Sequence, residues 1–149
     1  MFSRVCRLKF FSTSKRDGSR TDQLVSPLFS GVGVKGVRYE FKVGPDVFQA
    51  AVPAFLLQPL VENAIKYAIE PNPDGGRIDI RAWRDGDFLK LAISDTGAGI
   101  SPEESLKEGI GLASTRARLH ELYGNQASFV IDHRRGVIVH ITIPFRTLA

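Results

Sequence analysis

The stretch 56-LLQPLVENAIKYAIE-70 would pass for a buried helix if three polar residues were removed from it. Glu62, Asn63 and Lys66 are spaced so that all three share one stripe of a helix. The apolar side of the same helix is predicted to face a sheet, and it carries Leu56, Leu60, Ala64 and Tyr67. Because burying an unpaired carboxylate costs several kcal/mol, either solvent or a ligand must meet the polar stripe.

Both interpretations of this polar stripe stay open on these residues alone. A solvated helix face with a Glu62–Lys66 pair accounts for two of the three groups. Asn63 fits that interpretation less well, because asparagine is a mediocre helix former that competes with its own backbone. Mg²⁺ prefers oxygen ligands and often takes only one or two from the protein. An amide oxygen beside a carboxylate therefore also fits a metal site.

The pattern around this helix predicts a two-layer α/β (α+β) sandwich. The helix itself is predicted over residues 54–69, with Pro59 bending it or delaying its start. Alternating or hairpin-forming segments predict strands, and these lie at 37–43, 77–84, 88–94, 127–133 and 137–145. A second helix is predicted over about 112–123. The resulting order β-α-β-β-α-β-β favours a mixed, mostly antiparallel sheet with helices on one face.

Three short motifs between these elements predict two turns and one helix start. Asp85-Gly86 and Arg135-Gly136 predict hairpin turns. The sequence 101-SPEE-104 has a capping serine, a proline at the first helical position and a glutamate at the third, which predicts the start of a short helix.

Composition is that of one globular domain with a basic leading segment. The chain has 149 residues, 43% of them apolar and 24% charged, with a net charge of +4. Residues 1–20 hold six basic groups and one acidic group, whereas the remaining chain holds fourteen basic and fifteen acidic groups. We therefore predict an irregular basic segment over 1–36 and a nearly neutral domain over 37–149. The domain shows no recurrent basic-aromatic pattern, so no nucleic-acid partner is expected.

The origin of the basic segment is open at this level. It is rich in Arg and Ser and poor in acidic residues, which fits an organellar transit peptide. An artificial junction or a remnant of a longer chain fits equally well. No apolar run approaches the roughly 18 residues of a membrane span, so no membrane contact is expected from this segment. The single cysteine, Cys6, excludes an internal disulfide framework.

Two glycine-containing motifs follow the polar helix. In 95-DTGAGI-100 a predicted strand ends in Asp95, whose carboxylate can accept a hydrogen bond from an exocyclic amino group such as that of adenine. In 109-GIGL-112 two glycines lead straight into a helix, where exposed N–H groups and the positive dipole end suit a phosphate. Taken singly, the first motif also describes an ordinary turn and the second a flexible loop before a helix.

Taken together and in this order, the three motifs resemble the nucleotide site of the GHKL ATPases, which share the Bergerat-type fold. More closely, residues 53–145 resemble the ATP-binding domain of sensor histidine kinases of the autolysin-sensor (LytS-type) group. The matching segments of this chain are 53-PAFLLQPLVENAIKYA-68, 95-DTGAG-99 and 109-GIGLASTRARLHELYG-124.

The resemblance implies a role for each motif residue. Asn63 would bind Mg²⁺, Glu62 would support the metal or its water, and Lys66 would lie near the phosphates of ATP, so these three form the implied catalytic set. Asp95 would hold the adenine amino group. The remaining implied nucleotide-binding residues are Gly97, Gly99, Ile100, Gly109, Gly111 and Leu112. Residues 100–108 would form a short lid.

The chain also departs from the group's pattern. Tyr67-Ala68 replace His-Gly, Thr96 replaces an asparagine and Ser114 replaces another. Arg116 and Arg118 match the group's Arg-x-Arg-Leu, but the sequence does not decide whether they face nucleotide or surface. Nothing here matches the group's upstream helix with the phospho-accepting histidine. The three histidines are expected at surface or sheet-face positions, and they are His120, His133 and His140.

The resemblance implies a cytoplasmic catalytic domain that passes the γ-phosphoryl of ATP to a histidine on another domain or chain. Its implied partners are a histidine-bearing dimerisation domain and a response regulator, with a dimer expected for the full-length protein. That protein is expected to be a membrane-bound sensor. One alternative is a stand-alone GHKL module that regulates a protein partner without kinase activity. An organellar protein kinase is another alternative, and it rests on the basic segment alone.

Overall fold

The structure, a computed structural model, describes residues 5–7, 37–47, 49–53, 56–66, 73–96, 110–132 and 137–147. Its helices and strands are, in chain order, β1 (Val5–Arg7), β2 (Val37–Val43), β3 (Ala51–Pro53), α1 (Gln58–Ala64), β4 (Gly76–Asp85), β5 (Phe88–Asp95), α2 (Ile110–Tyr123), β6 (Ser128–Asp132) and β7 (Ile138–Pro144). Within these ranges no helix is long and apolar enough to cross a membrane. The predicted helix start at 101–104 and the predicted turn at 135–136 lie outside the described residues.

Five strands form one mixed sheet in the order β2-β4-β5-β7-β6. The first pair, β2 with β4, is parallel, and the other three pairs are antiparallel. The β4–β5 hairpin pairs Asp85 with Phe88, so its loop consists of Gly86 and Asp87. Gly86 has φ of +60°, a conformation that glycine adopts without strain. The predicted mixed, mostly antiparallel sheet is confirmed.

One face of this sheet is buried and the other is solvated. Along β5, for example, Leu89, Leu91 and Ile93 are buried, and they pair in register with buried residues of β7. The buried partners on β7 are Val139, Ile141 and Ile143. The opposite face carries ion pairs such as Lys90–Asp85 at 3.1 Å, which at such exposure contribute little stability. This alternation confirms the predicted layer of helices on a single face.

Helix α1 starts later than predicted. The predicted start at residue 54 is wrong, because Leu56 and Leu57 precede the helix and Gln58 is its first residue. Pro59 occupies the first turn, where its missing N–H costs nothing, so the proline delays the helix as expected. After Ala64 the chain continues into a wider π-type turn at Ile65 and Lys66. Residues 67–69 of the predicted helix lie outside the described part of the chain.

Helix α2 begins two residues before the predicted Leu112 and ends at Tyr123 as predicted. Gly124, with φ of +58°, then starts a 3-10 turn that leads into β6. The helix contacts α1, β6 and β7, and its buried residue Leu119 belongs to the same hydrophobic cluster as the inward face of the sheet.

A second, two-stranded sheet was not predicted. β1 pairs antiparallel with β3, placing Cys6 opposite Val52. The Ala51 amide of β3 also donates to the Arg146 carbonyl, at 2.7 Å. The strand β1 lies within the segment 1–36 for which the sequence predicted no regular structure, so that prediction is wrong at residues 5–7. Both strands have three residues, too few to show an alternating pattern. The domain division at residue 36 stays a prediction.

Candidate nucleotide-binding site

The polar residues of α1 directly adjoin buried residues of the same helix. Glu62 and Asn63 directly follow Val61, which is fully buried, and directly precede Ala64, which is also buried. Asn63 is half-buried, whereas Glu62 and Lys66 are exposed. The Glu62 carboxylate accepts a hydrogen bond of 3.0 Å from the Gln58 side-chain amide one turn earlier. This contact holds one of the two carboxylate oxygens of Glu62.

Asp95 lies at the carboxyl end of β5, in the middle of the sheet. Its amide donates to the carbonyl of Val137 at 3.2 Å, and it pairs in register with Ile78 of β4. The two neighbouring strands therefore fix the backbone on both sides of this half-buried carboxylate. Ile93, two positions earlier, is buried in the core cluster.

Thr96, directly after Asp95, adds one more residue pair to the sheet, and one hydrogen bond of this pair is made by its side chain. Its amide donates to the Arg77 carbonyl at 3.1 Å, as in a normal antiparallel pair. The return bond, however, runs from the Arg77 amide to the Thr96 hydroxyl, at 2.9 Å. A side chain thus completes the ladder where a backbone carbonyl normally would. Sequence reasoning treated Thr96 only as a departure from the family pattern and missed this role.

The third motif leads into the first turn of α2. Because the helix begins at Ile110, the N–H groups of Gly111 and Leu112 belong to the four that have no partner within a helix. The Leu112 side chain is buried in the core, so any contact of Leu112 with a nucleotide is limited to its backbone. Gly97, Gly99, Ile100 and Gly109 lie outside the described residues, and so does the implied lid at 100–108.

Packing brings the three motifs onto neighbouring elements. Helix α1 contacts both α2 and β5. Each motif also lies one or two positions from a member of the same hydrophobic cluster: Ala64 beside Asn63, Ile93 before Asp95, and Leu112 beside Gly111. The one cluster therefore anchors a half-buried amide on α1, a half-buried carboxylate at the end of β5 and the amino terminus of α2.

The two arginines whose direction the sequence left open have different surroundings. Arg116 donates from Nη1 to the Phe129 carbonyl at 2.9 Å, and its guanidinium lies 4.7 Å from the centroid of the Phe129 ring. Arg118 lies near Tyr123. Burial raises the pKa of the Tyr123 hydroxyl, and the positive charges of Arg146 and Arg118 partly oppose that rise. Arg116 is therefore engaged with the sheet rather than with solvent alone.

Comparison with known proteins gives one family match over residues 53–147, to the histidine kinase-, DNA gyrase B- and HSP90-like ATPases. The sensor protein LytS of Streptococcus mutans is 35% identical over 107 residues, which cover 64% of this chain and 18% of the relative. The sensor protein LytS of Staphylococcus saprophyticus is 31% identical in an alignment that covers 97% of this chain and 28% of the relative. The chain thus spans less than a third of either relative.

Among solved structures, the histidine kinase domain of the Erythrobacter litoralis EL346 blue-light activated histidine kinase is similar, with a TM-score of 0.64 and 21% identity. The superposition covers 83% of this chain and 58% of that one. The likeness shows that the two chains share a fold, and it agrees with the predicted GHKL-type sandwich.

The Thr96 hydroxyl gives a test of how the end of β5 is held. We expect Thr96→Val to lower the free energy of unfolding by about 1 kcal/mol, because the Arg77 amide loses its acceptor while side-chain volume is kept. Thr96→Ser, which retains the hydroxyl, should lose clearly less. Chemical denaturation of the three proteins measures the difference. Equal stability of the valine and serine variants would contradict the assigned role.

Proposed function

The chain belongs to the histidine kinase-, DNA gyrase B- and HSP90-like ATPase family, and from that premise we propose that it is the ATP-binding catalytic domain of a two-component sensor histidine kinase. The proposed reaction moves the γ-phosphoryl group of ATP to a histidine on another domain or chain. The observation that carries the proposal is the anchoring of three motifs by one hydrophobic cluster, on α1, β5 and α2. Other relatives, such as the sensor histidine kinase YesM of Bacillus subtilis, which is 31% identical over 74% of this chain, support a kinase over a stand-alone binding module.

In this proposal Asp95 selects the base. A carboxylate accepts a hydrogen bond from the amino group of adenine but repels the carbonyl that guanine carries at the same position. The backbone bonds from Asp95 to Val137 and from Thr96 to Arg77 support this role, because they hold the carboxylate's backbone before the nucleotide arrives. Such preorganisation lowers the ordering cost of binding. The family resemblance adds Gly97, Gly99 and Ile100 along the base.

The phosphates are proposed to meet the amino end of α2 and the polar stripe of α1. Exposed N–H groups in the first turn of a helix and its positive dipole end both favour anions. Gly111 suits this position because it brings no side chain between the backbone and a phosphate. Gly109 is assigned the same task, and the exposed Lys66 ammonium supplies a cation nearby.

The donor set on α1 fits a Mg²⁺ ion shared with the nucleotide. Asn63 offers a half-buried amide oxygen and Glu62 a carboxylate, and both are the hard oxygen donors that Mg²⁺ prefers. Within the described ranges, no group of three His, Cys, Asp or Glu side chains could hold a metal by itself. Asn63 would hold the ion directly and Glu62 would orient its water. When bound, Mg²⁺ neutralises charge on the phosphates.

The acceptor histidine is proposed to come from outside this segment. His140 lies on β7 between the buried residues Val139 and Ile141, so its exposed side chain is on the sheet face opposite the helices. His120 is exposed on α2, ten residues beyond Ile110, which is about 15 Å along the axis. His133 lies outside the described residues. A dimerisation domain that bears the acceptor, and a response regulator that receives the phosphoryl group, are the partners we propose.

We propose that the domain works in the cytoplasm, where ATP is available, as part of a longer, dimeric, membrane-bound sensor. The chain covers 18% and 28% of the two LytS relatives, which leaves room for such further parts in proteins of that kind.

Asp95 should confer adenine specificity. We expect Asp95→Asn to lose about 1.5–3 kcal/mol of ATP affinity, the range for a hydrogen bond to a charged group. Asp85→Asn is the matched control, since Asp85 ends β4 beside the exposed β4–β5 loop and its carboxylate pairs with Lys90 at 3.1 Å. Isothermal titration calorimetry with ATP and GTP measures both effects. GTP that binds the unmutated protein as tightly as ATP would refute the assignment.

Asn63 should make ATP binding depend on Mg²⁺. We expect Asn63→Ala to abolish most of the affinity difference between Mg²⁺ and chelator, with the fold intact because the side chain is not part of the core. Asn125→Ala, which removes an exposed amide from the turn after α2, should leave that difference unchanged. The measurement is calorimetry with and without EDTA. Equal ATP affinity with Mg²⁺ and with EDTA in the unmutated protein would contradict this prediction.

This chain alone should bind ATP without phosphorylating itself on histidine. In-line transfer needs the acceptor nitrogen about 3–3.5 Å from phosphorus, which neither the β7 position of His140 nor the α2 position of His120 favours. Incubation with radiolabelled ATP, followed by an assay for acid-labile and base-stable label, tests this. Addition of the proposed histidine-bearing domain should produce labelling. Stoichiometric label on any histidine of this chain would mean that the acceptor has been misplaced.

A further inference from the structure

We infer that Arg116 is a positioning residue for the phosphate-binding end of α2. The inference rests on the proposed function, because it concerns the same nucleotide site. Arg116 makes two contacts to one residue of the edge strand β6: a hydrogen bond of 2.9 Å to the Phe129 carbonyl and a guanidinium–ring contact of 4.7 Å to the Phe129 side chain. We refer to these two contacts together as the Arg116–Phe129 clamp.

Helix α2 packs against the core through a narrow set of side chains. Among its described side chains, the buried ones are Leu112, Thr115 and Leu119, and the half-buried Tyr123 packs against the same cluster. Hydrophobic burial is non-directional. A charge-assisted hydrogen bond and a stacked guanidinium are directional. The clamp therefore adds a directional constraint to this packing.

The clamp lies close enough to the helix start to control it. Arg116 is six residues after Ile110, which is about 9 Å along the helix axis. Because a helix moves as a rigid body, a small rotation at Arg116 also displaces the N–H groups of the first turn. Hydrogen bonds weaken steeply once the donor–acceptor distance and angle leave their narrow range. Phosphate binding should therefore suffer when the clamp is lost.

The adenine end of the site should not depend on the clamp. The Asp95 backbone is held by its hydrogen bond to the Val137 carbonyl and by the strands paired with β5 on either side. Loss of the clamp should therefore separate two ligands: ATP, which uses both ends of the site, and adenosine, which uses only the base end. The ratio of their affinities is a readout that a merely structural role of Arg116 would not move.

Arg84 provides a matched control. Its Nε donates to the Gly86 carbonyl at 2.8 Å and its guanidinium lies 4.1 Å from the Phe145 ring centroid, so it makes the same two kinds of contact at the far end of the β4–β5 hairpin. Arg84→Met and Arg116→Met remove equivalent interactions from a protein of the same net charge. Only the second variant removes a contact of α2.

The experiment measures ATP and adenosine dissociation constants by calorimetry, below the unfolding temperature of each protein. We expect Arg116→Met to weaken ATP binding by roughly tenfold, as expected for loss of a hydrogen bond to a charged group, with adenosine changed less than twofold. Arg84→Met should leave the ratio of the two constants unchanged. Arg116→Lys keeps the charge but not the planar fork, so it should behave like Arg116→Met.

Phe129→Leu separates positioning from a direct charge effect and serves if Arg116→Met fails to fold. It removes the ring but keeps the arginine and the backbone carbonyl that the arginine bonds, so positioning predicts ATP binding weakened less than in Arg116→Met, with adenosine unchanged. If ATP affinity is unchanged in Phe129→Leu and Arg116→Lys binds ATP like the unmutated protein, Arg116 acts through its charge and the inference is wrong. An unmutated protein that binds adenosine and ATP, with an unchanged ratio in every variant, overturns the inference alone. An unmutated protein that binds neither overturns the proposed function.

Discussion

Burial of one face of the five-stranded sheet under two helices positions every other element of the domain that bears on the site. Residues such as Leu91 and Ile141 lie opposite each other in register and are almost fully buried. Each such side chain contributes roughly 1.5–3 kcal/mol by leaving water. Helix α1, with seven residues, is too short to be stable alone, so its existence depends on this packing. The nucleotide motifs are therefore positioned by the core, not by their own local structure.

The proposed site shows how polar groups are kept at the margin of that core. Asn63 is half-buried beside the buried residue Ala64 of α1. Asp95 ends a strand whose preceding inward residue, Ile93, is buried. In both cases a buried apolar neighbour fixes the backbone of a half-buried polar residue. Core packing and the proposed ligand binding thus use adjacent residues of the same elements.

Directional side-chain contacts add constraints that non-directional hydrophobic burial does not supply. The Thr96 hydroxyl closes the sheet ladder to Arg77, and the Arg116–Phe129 clamp ties α2 to the edge strand β6. Both residues sit beside the glycine-containing motifs, and both contacts join positions far apart in the sequence. This separation is why neither contact was predicted. A threonine in a turn and an arginine on a helix face have many alternatives that the chain itself does not rank.

Local rules were sufficient to predict the strands that are long enough to alternate, the carboxyl end of α2, the delay of α1 by Pro59, and the sandwich class. These rules are period-two patterning, glycine at positive φ, and the missing N–H of proline. The order of the three motifs also indicated the family.

Only the tertiary structure decided the pairing of β1 with β3, the parallel alignment of β2 with β4, the burial of the Leu112 side chain, and the direction of Arg116. Each of these depends on contacts between segments distant in sequence. Three-residue strands and single side chains carry too little local signal to specify such contacts, because their partners are set by how the whole core closes.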